Sequence, residues 1–334
     1  MTIALWPSNQ NVVILVGRFL AGVGSTLQVI FTPIGYPGLQ IYDKLFLNLY
    51  TTPAIVAVII DLICFPLIVI FFKEHYAGLA ESSSTDCIQK IKPPKPDMMA
   101  SWLCYMTRFT QMFIDQNLEL INSLFATTMF AYTKAQVVQA TALAQALFNG
   151  LSFISYMSFI GINFTKFVNH RILTIAMLGV FISFHLITFP YPFLSGNIQT
   201  YTNKDAQNAT TELVGCNIDQ LSWCQHIAPV NPYIYFGAFV VLIGIAFSNL
   251  TVSLSTLFAE ILGPRRQGTQ QGFLQVSGGL GKMIGPLIAS YLFTHYGPRV
   301  VWYMEILLVS MTILLLSVFY KRMVPLQKKV YPIT

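Results

Sequence analysis

Long apolar runs separated by short polar breaks fill most of the sequence. Eight of them reach spanning length, at about 12–31, 51–72, 101–129, 137–160, 172–189, 233–258, 269–295 and 300–320. A helix rising 1.5 Å per residue needs about 20 mostly apolar residues to cross a hydrocarbon core about 30 Å thick. Backbone inside lipid must satisfy its own hydrogen bonds, so runs of this kind predict helices. A porin-type barrel is excluded, because its strands alternate apolar and polar residues over about ten positions. The first run is not a signal peptide: no basic stretch precedes it, and Arg18 lies within it. The expected fold is therefore an all-α, polytopic membrane helix bundle of about eight transmembrane helices.

Two connections depart from the short-loop pattern. Residues 73–100 contain SSST and end near IKPPKP, a Ser- and Pro-rich stretch that reads as a linker between two halves. The predicted organisation is residues 1–72 as a first part, 73–100 as a cytosolic linker, 101–322 as a six-helix half and 323–334 as a tail. The second long connection, 190–232, carries the acceptor triplet Asn208-Ala209-Thr210. It also holds Cys216 and Cys224 with seven residues between them. Glycosylation at Asn208 and a Cys216–Cys224 disulfide both require an extracytosolic, oxidising side. The alternative is an unused triplet and two free thiols. Asn163-Phe164-Thr165 and Asn249-Leu250-Thr251 also match the triplet, but fall on the cytosolic side and within a helix.

Composition and charge fit this reading. The 334 residues are 54% hydrophobic and 10% charged, with mean hydropathy +0.61. A soluble domain carries about 25% charged residues, so an ordinary cytosolic enzyme, a nucleic-acid reader and a disordered scaffold are excluded. With both termini cytosolic, the loops on that side hold Lys73, Lys90, Lys92, Lys95, Lys166, Arg171, Arg265, Arg266, Lys321, Arg322, Lys328 and Lys329. The other side holds Lys44, Lys134, Lys204 and Arg299. Twelve against four sets the orientation by the positive-inside rule.

Charges inside the spans point to chemistry. On insertion scales each costs about 2.5–3.5 kcal/mol at the bilayer centre, so such groups face a cavity or a partner. Seven are found: Arg18, Asp61, Arg108, Asp115, Glu119, Lys282 and Glu305. Arg108, Asp115 and Glu119 stand at i, i+7 and i+11, within about 40° on a helix, with Gln111 and Asn122 near the same stripe. Either this stripe lines a solute or ion pathway, or an ion pair such as Arg108 with Asp115 fixes helix packing. Gln271, Gln275, Gly278 and Lys282 form a matching stripe in the seventh run. Gly268/Gly272 and Gly281/Gly285 have the GxxxG spacing that admits a close helix neighbour, and Pro286 sits inside the run. Asp61 lies midway along the second run, equally open to a functional and a structural role. His185 reads as a hydrogen-bonded histidine, Glu305 as one half of an ion pair, and Trp302 with Tyr303 as interface anchors. No Walker loop, HExxH, CxxC pair or GxSxG occurs. No catalytic residue, metal or cofactor is therefore expected, and the chain is not expected to be an enzyme.

Several motifs resemble those of a known family. LGPRRQG (Leu262 to Gly268), VSGGLGKMIGP (Val276 to Pro286), HYGPR (His295 to Arg299), GRFLAGVGS (Gly17 to Ser25), LYTTP (Leu49 to Pro53) and CNIDQLSWCQHIAP (Cys216 to Pro229) are the stretches concerned. They resemble the major facilitator superfamily, in particular the lysosomal domain-containing protein 8 group associated with neuronal ceroid lipofuscinosis. The resemblance implies a complete C-terminal six-helix half and a truncated N-terminal half with two helices. It implies transport of a small solute or ion in a lysosomal or endosomal membrane, with the lipid bilayer as surroundings and no nucleic acid. Arg108 and Lys282 suit an anion; Glu119 and Asp115 suit proton coupling. The alternative is a transport-incompetent truncated isoform, or a regulatory half-protein that binds a full-length transporter. Tyr76-Ala77-Gly78-Leu79 and Tyr320-Lys321-Arg322-Met323 fit tyrosine-based sorting patterns.

Overall fold

The computed structural model describes residues 39–42, 45–47, 97–161, 168–193, 196–208, 213–263 and 267–324, with isolated helical positions at 55–56, 58–59, 62 and 66. Asp61, Arg18, the tyrosine motif at 76–79, nearly all of the linker and residues 325–334 of the tail lie outside the described residues. Each of the last six apolar runs forms a helix: α1 (Met98–Thr128), α2 (Lys134–Gly161), α3 (His170–Thr188), α5 (Pro232–Leu262), α6 (Gly268–Tyr296) and α7 (Pro298–Val318). A short α4 (Asn203–Asn208) lies in the long connection, so Asn208 is its last residue. Among the described residues, α2, α3, α5 and α7 are long and apolar enough to cross a membrane. The other two long helices, α1 and α6, carry the polar stripes.

Local chemistry fixes the helix ends. Asp97 caps α1, accepting from the backbone N–H of Met99 at 3.1 Å. Before α2, Thr133 and Gln136 form a capping box: the Thr133 N–H donates to the Gln136 side chain at 3.0 Å, and the Gln136 N–H to the Thr133 hydroxyl at 3.4 Å. Asn169 caps α3 and Asn231 caps α5, the latter with Pro232 in the first turn. Between α6 and α7, Gly297 at φ 84° closes one helix while Pro298 opens the next. Within α5, residues Phe239–Ile243 form a π turn, against which α2 packs.

The chain divides into two compact units. One takes in Asn122–Phe164 and Pro190–Ile245 together with the N-terminal stretch. Its core stacks Phe125 on Tyr235 at 4.9 Å, and the Tyr235 hydroxyl donates to Asn122 at 2.9 Å. Asn122 is thereby committed to an internal hydrogen bond. The long connection belongs to this unit. There β3 (Thr200–Tyr201) pairs in parallel with β4 (Cys216–Asn217), and Cys216 is bonded to Cys224. Gly215 precedes the bridge at φ 107°, and a Cβ there would lie 2.2 Å from the Gln199 carbonyl oxygen, so only glycine fits. The backbone N–H and hydroxyl of Thr202 donate to Asp205 and hold its exposed carboxyl below the usual range. An antiparallel hairpin pairs β1 (Leu39–Tyr42) with β2 (Leu45–Leu47).

The other unit takes in His75–Ile121, Thr165–Phe189 and Ala246–Thr334. In it α7 packs on α3 and α6. One face of α7 is buried, through Pro298, Val301, Trp302, Glu305, Val309, Thr312 and Leu316. The opposite face exposes Tyr303, Leu307, Met311, Leu314 and Val318. A helix whose outer face is wholly apolar while its few polar side chains, Glu305 and Thr312, are turned inward suits a lipid surround. Thr110 of α1 and Thr312 of α7 share a hydrogen bond at 2.9 Å.

The structure bears on three expectations. Trp302 is no interface anchor: it is fully buried and donates to the Thr188 hydroxyl at 3.0 Å, while Tyr303 stays exposed. Gly268 and Gly272 meet no described atom within 4 Å of an added Cβ, so this GxxxG pair seats no neighbour among the described residues. The pattern at Tyr320–Met323 is folded away, with Tyr320 beneath the Arg171 guanidinium at 4.6 Å and Met323 buried.

Candidate functional site

The site is built by a seam of absent side chains. A Cβ on Gly281 would lie 2.5 Å from the Phe109 carbonyl oxygen, and one on Gly285 would lie 2.5 Å from Oδ1 of Asn117. One on Gly278 would lie 3.1 Å from Met112 and 3.3 Å from Arg108. Through Gly281 and Gly285 α6 lies directly on the backbone of α1, and at Gly278 it lies against the side chains of Met112 and Arg108. Ser277 reinforces the contact by donating to the Tyr105 carbonyl at 3.1 Å, and the Tyr105 hydroxyl donates to Gln270.

The two predicted stripes flank this seam. Arg108 is buried and donates to Gln111 at 3.1 Å and to Gln275 of α6 at 3.4 Å. Gln111 in turn donates to Thr251 of α5 at 2.7 Å, so it serves as a tie between helices. Asp115 is half-buried; Lys282 and Arg108 attract its charge and Glu119 repels it. Glu119 is exposed and accepts from Gln116 at 2.6 Å. Lys282 and Gln275 are exposed on α6. Lys282 lies about 40° around that helix from Gly278, whereas the exposed Val276, Leu280 and Leu287 lie roughly opposite the seam. On α1 the accessible side chains beyond Phe113 are mainly polar: Asp115, Gln116, Glu119, Ser123 and Thr127. The structure therefore brings Arg108, Asp115, Glu119, Gln275 and Lys282 to one side of a single helix pair.

A second polar group lies in the same unit and was only half visible in the sequence. Glu305 of α7 is fully buried. One carboxylate oxygen accepts from Asn117 of α1 at 3.0 Å, and the other meets Nε2 of His185 on α3, also fully buried. His185 Nδ1 donates to the Phe181 carbonyl at 2.7 Å. The sequence marks His185 and Glu305 as polar within apolar runs but cannot pair residues 120 positions apart, and nothing there singles out Asn117. The available signal was the spacing of Glu305 with Val301, Trp302, Val309 and Thr312, which puts the acid on the face opposite Tyr303 and Leu307.

Comparison with known proteins agrees with the helical architecture. The family model for the Major Facilitator Superfamily matches residues 221–333. The chain is 26% identical to Major facilitator superfamily domain-containing protein 8 of Xenopus laevis, over 91% of its own length. It spans 63% of the length of that relative. Together, the apolar helices and these matches describe a multi-pass, all-α membrane helix bundle, consistent with the major facilitator type.

Proposed function

We propose that the chain carries a small solute across an endolysosomal membrane as a facilitator-type transporter, with an anion or a proton as the coupled species. The observation that carries this reading is the placement of two basic and two acidic side chains, Arg108, Lys282, Asp115 and Glu119, beside one glycine seam. In such transporters the binding region lies near the bilayer midplane between helices. Lys282 and Arg108 supply the positive charge for an anionic group, and Arg108, tied to Gln275, also bridges α1 and α6 as a gate. Glu119 and Asp115 take up or release a proton at the open edge.

The test is flux in vesicles reconstituted with the full chain, using labelled inorganic phosphate as the anion probe and an entrapped pH dye for protons. Lys282→Ala is expected to lower anion uptake at least tenfold, and Glu119→Gln to lower proton movement comparably. Unchanged fluxes in both variants would overturn the assignment. Flux that appears only with a full-length relative present would favour the partner-binding alternative. For the compartment, the tagged chain should overlap a lysosomal marker. Asn208→Gln should remove a glycan-dependent mobility shift, since glycan addition at Asn208 requires this connection to face the lumen.

A further inference from the structure

The hydrogen bonds of His185 leave room for only one proton count. Nδ1 faces the Phe181 carbonyl at 2.7 Å. A carbonyl only accepts, so Nδ1 carries a hydrogen. Nε2 faces Oε2 of Glu305. If the ring were neutral and the carboxyl ionised, two acceptors would face each other with no hydrogen between them. The other carboxylate oxygen already accepts from Asn117 at 3.0 Å. Both side chains are fully buried, and an uncompensated charge there is strongly disfavoured.

We propose that His185 and Glu305 form a proton-binding site: together they hold one proton more than a neutral imidazole and a carboxylate would. The proton resides on Nε2, giving an imidazolium–carboxylate pair, or on Oε2, giving an imidazole and a carboxylic acid. In either form the pair is neutral as a whole. Release to water returns the pair to a facing imidazole and carboxylate and a net negative charge, so proton exchange requires α3 and α7 to separate at this point. The site is distinct from the stripe at Asp115 and Lys282 and does not depend on the transport reading.

Among the described residues, no other ionisable side chain offers an equivalent partner on the elements packed here. From α3 the pair is met by His185 itself, while His170 and Arg171 lie at the far end of that helix. From α1 the facing side chain is the neutral Asn117; Arg108, Asp115 and Glu119 lie on the other side of that helix, about 160–180° around. From α6 the approach is made by Gly285, against the Asn117 amide, with Lys282 and His295 both exposed. On α7 itself Arg299 and Tyr303 lie off the buried face.

The experiment uses the full chain in lipid, labelled with nitrogen-15 at its five histidines. The ring nitrogens are read by magnetic resonance at about pH 8, where an exposed imidazole is neutral. His185 is identified as the signal lost in His185→Gln, or, if that variant does not fold, as the one displaced in Glu305→Gln. The amide of Glu305→Gln can donate to His185 Nε2 and accept from Asn117, reproducing the bonds without the proton. The expected result is a protonated Nδ1 together with one of two outcomes. Either Nε2 is also protonated, or it is bare and the infrared spectrum contains a protonated-carboxyl stretch that Glu305→Gln removes. A bare Nε2 with no such stretch, or a bare Nδ1, would overturn the proposal. If neither variant folds, wild-type protein labelled also with carbon-13 at the phenylalanine carbonyls identifies His185 as the ring whose Nδ1 is coupled to a phenylalanine carbonyl, that of Phe181 at 2.7 Å. Vesicle flux plays no part, so failure here and failure of the transport reading are told apart.

Discussion

Glu119 and Glu305 are the same residue type on long helices, placed in opposite ways. Glu119 lies on α1, whose accessible side is mainly polar from Asp115 onward, and it accepts from Gln116 alongside it. Glu305 lies on α7, whose accessible side is apolar, and it is fully enclosed with His185 and Asn117 on its oxygens. The first is exposed, and in the transport reading proposed above it faces the solute or ion pathway. The second joins α1, α3 and α7. An acid in a membrane helix is therefore not one kind of feature: its helix's outer face tells which role it serves. Where the outer face is greasy, as on α7, the acid belongs to the frame; where it is polar, as on α1, the proposed reading assigns the acid to a passage.

The sharpest way to break this contrast is to remove the enclosed acid. Glu305→Ala leaves His185 and Asn117 buried without their partner. It is expected to lower stability by about 3–5 kcal/mol, the usual cost of breaking a buried pair, measured by thermal unfolding in detergent. Next comes the seam. Gly281→Ala sets a methyl 2.5 Å from the Phe109 carbonyl oxygen and should lower stability by about 1–3 kcal/mol through forced separation of α1 and α6. Gly272→Ala makes the opposite case on the same helix. Its Cβ meets no described atom, so the change should raise stability by about 0.5–1 kcal/mol through helix propensity alone. The smallest change is expected at the open stripe, where Glu119→Gln and Lys282→Ala should each shift stability by less than about 0.5 kcal/mol. A stability loss there as large as that of Glu305→Ala would erase the distinction between passage and frame.

The sequence made the helices legible because length and hydropathy are local properties: six apolar runs became α1, α2, α3, α5, α6 and α7 within a few residues of their predicted ends. The stripe was legible for a similar reason, since Arg108, Asp115 and Glu119 share one face by spacing alone. Which small residues seat a neighbour was not. Gly268/Gly272 and Gly281/Gly285 have identical spacing, and among the described residues only the second pair lies against another backbone. The Cys216–Cys224 bridge could be read because its partners are close in sequence. The His185–Glu305 contact could not, because its partners meet only after α3 and α7 have packed. Trp302 was misread for the same reason, its indole N–H having found Thr188 across that interface.

The glycine seam has a mechanical consequence. Where Gly281 and Gly285 rest on the α1 backbone, no side chain from α6 stands between the two rods to change rotamer and absorb a slip. Rods in such contact turn as one lever, so any displacement of Lys282 takes Asp115 along with it.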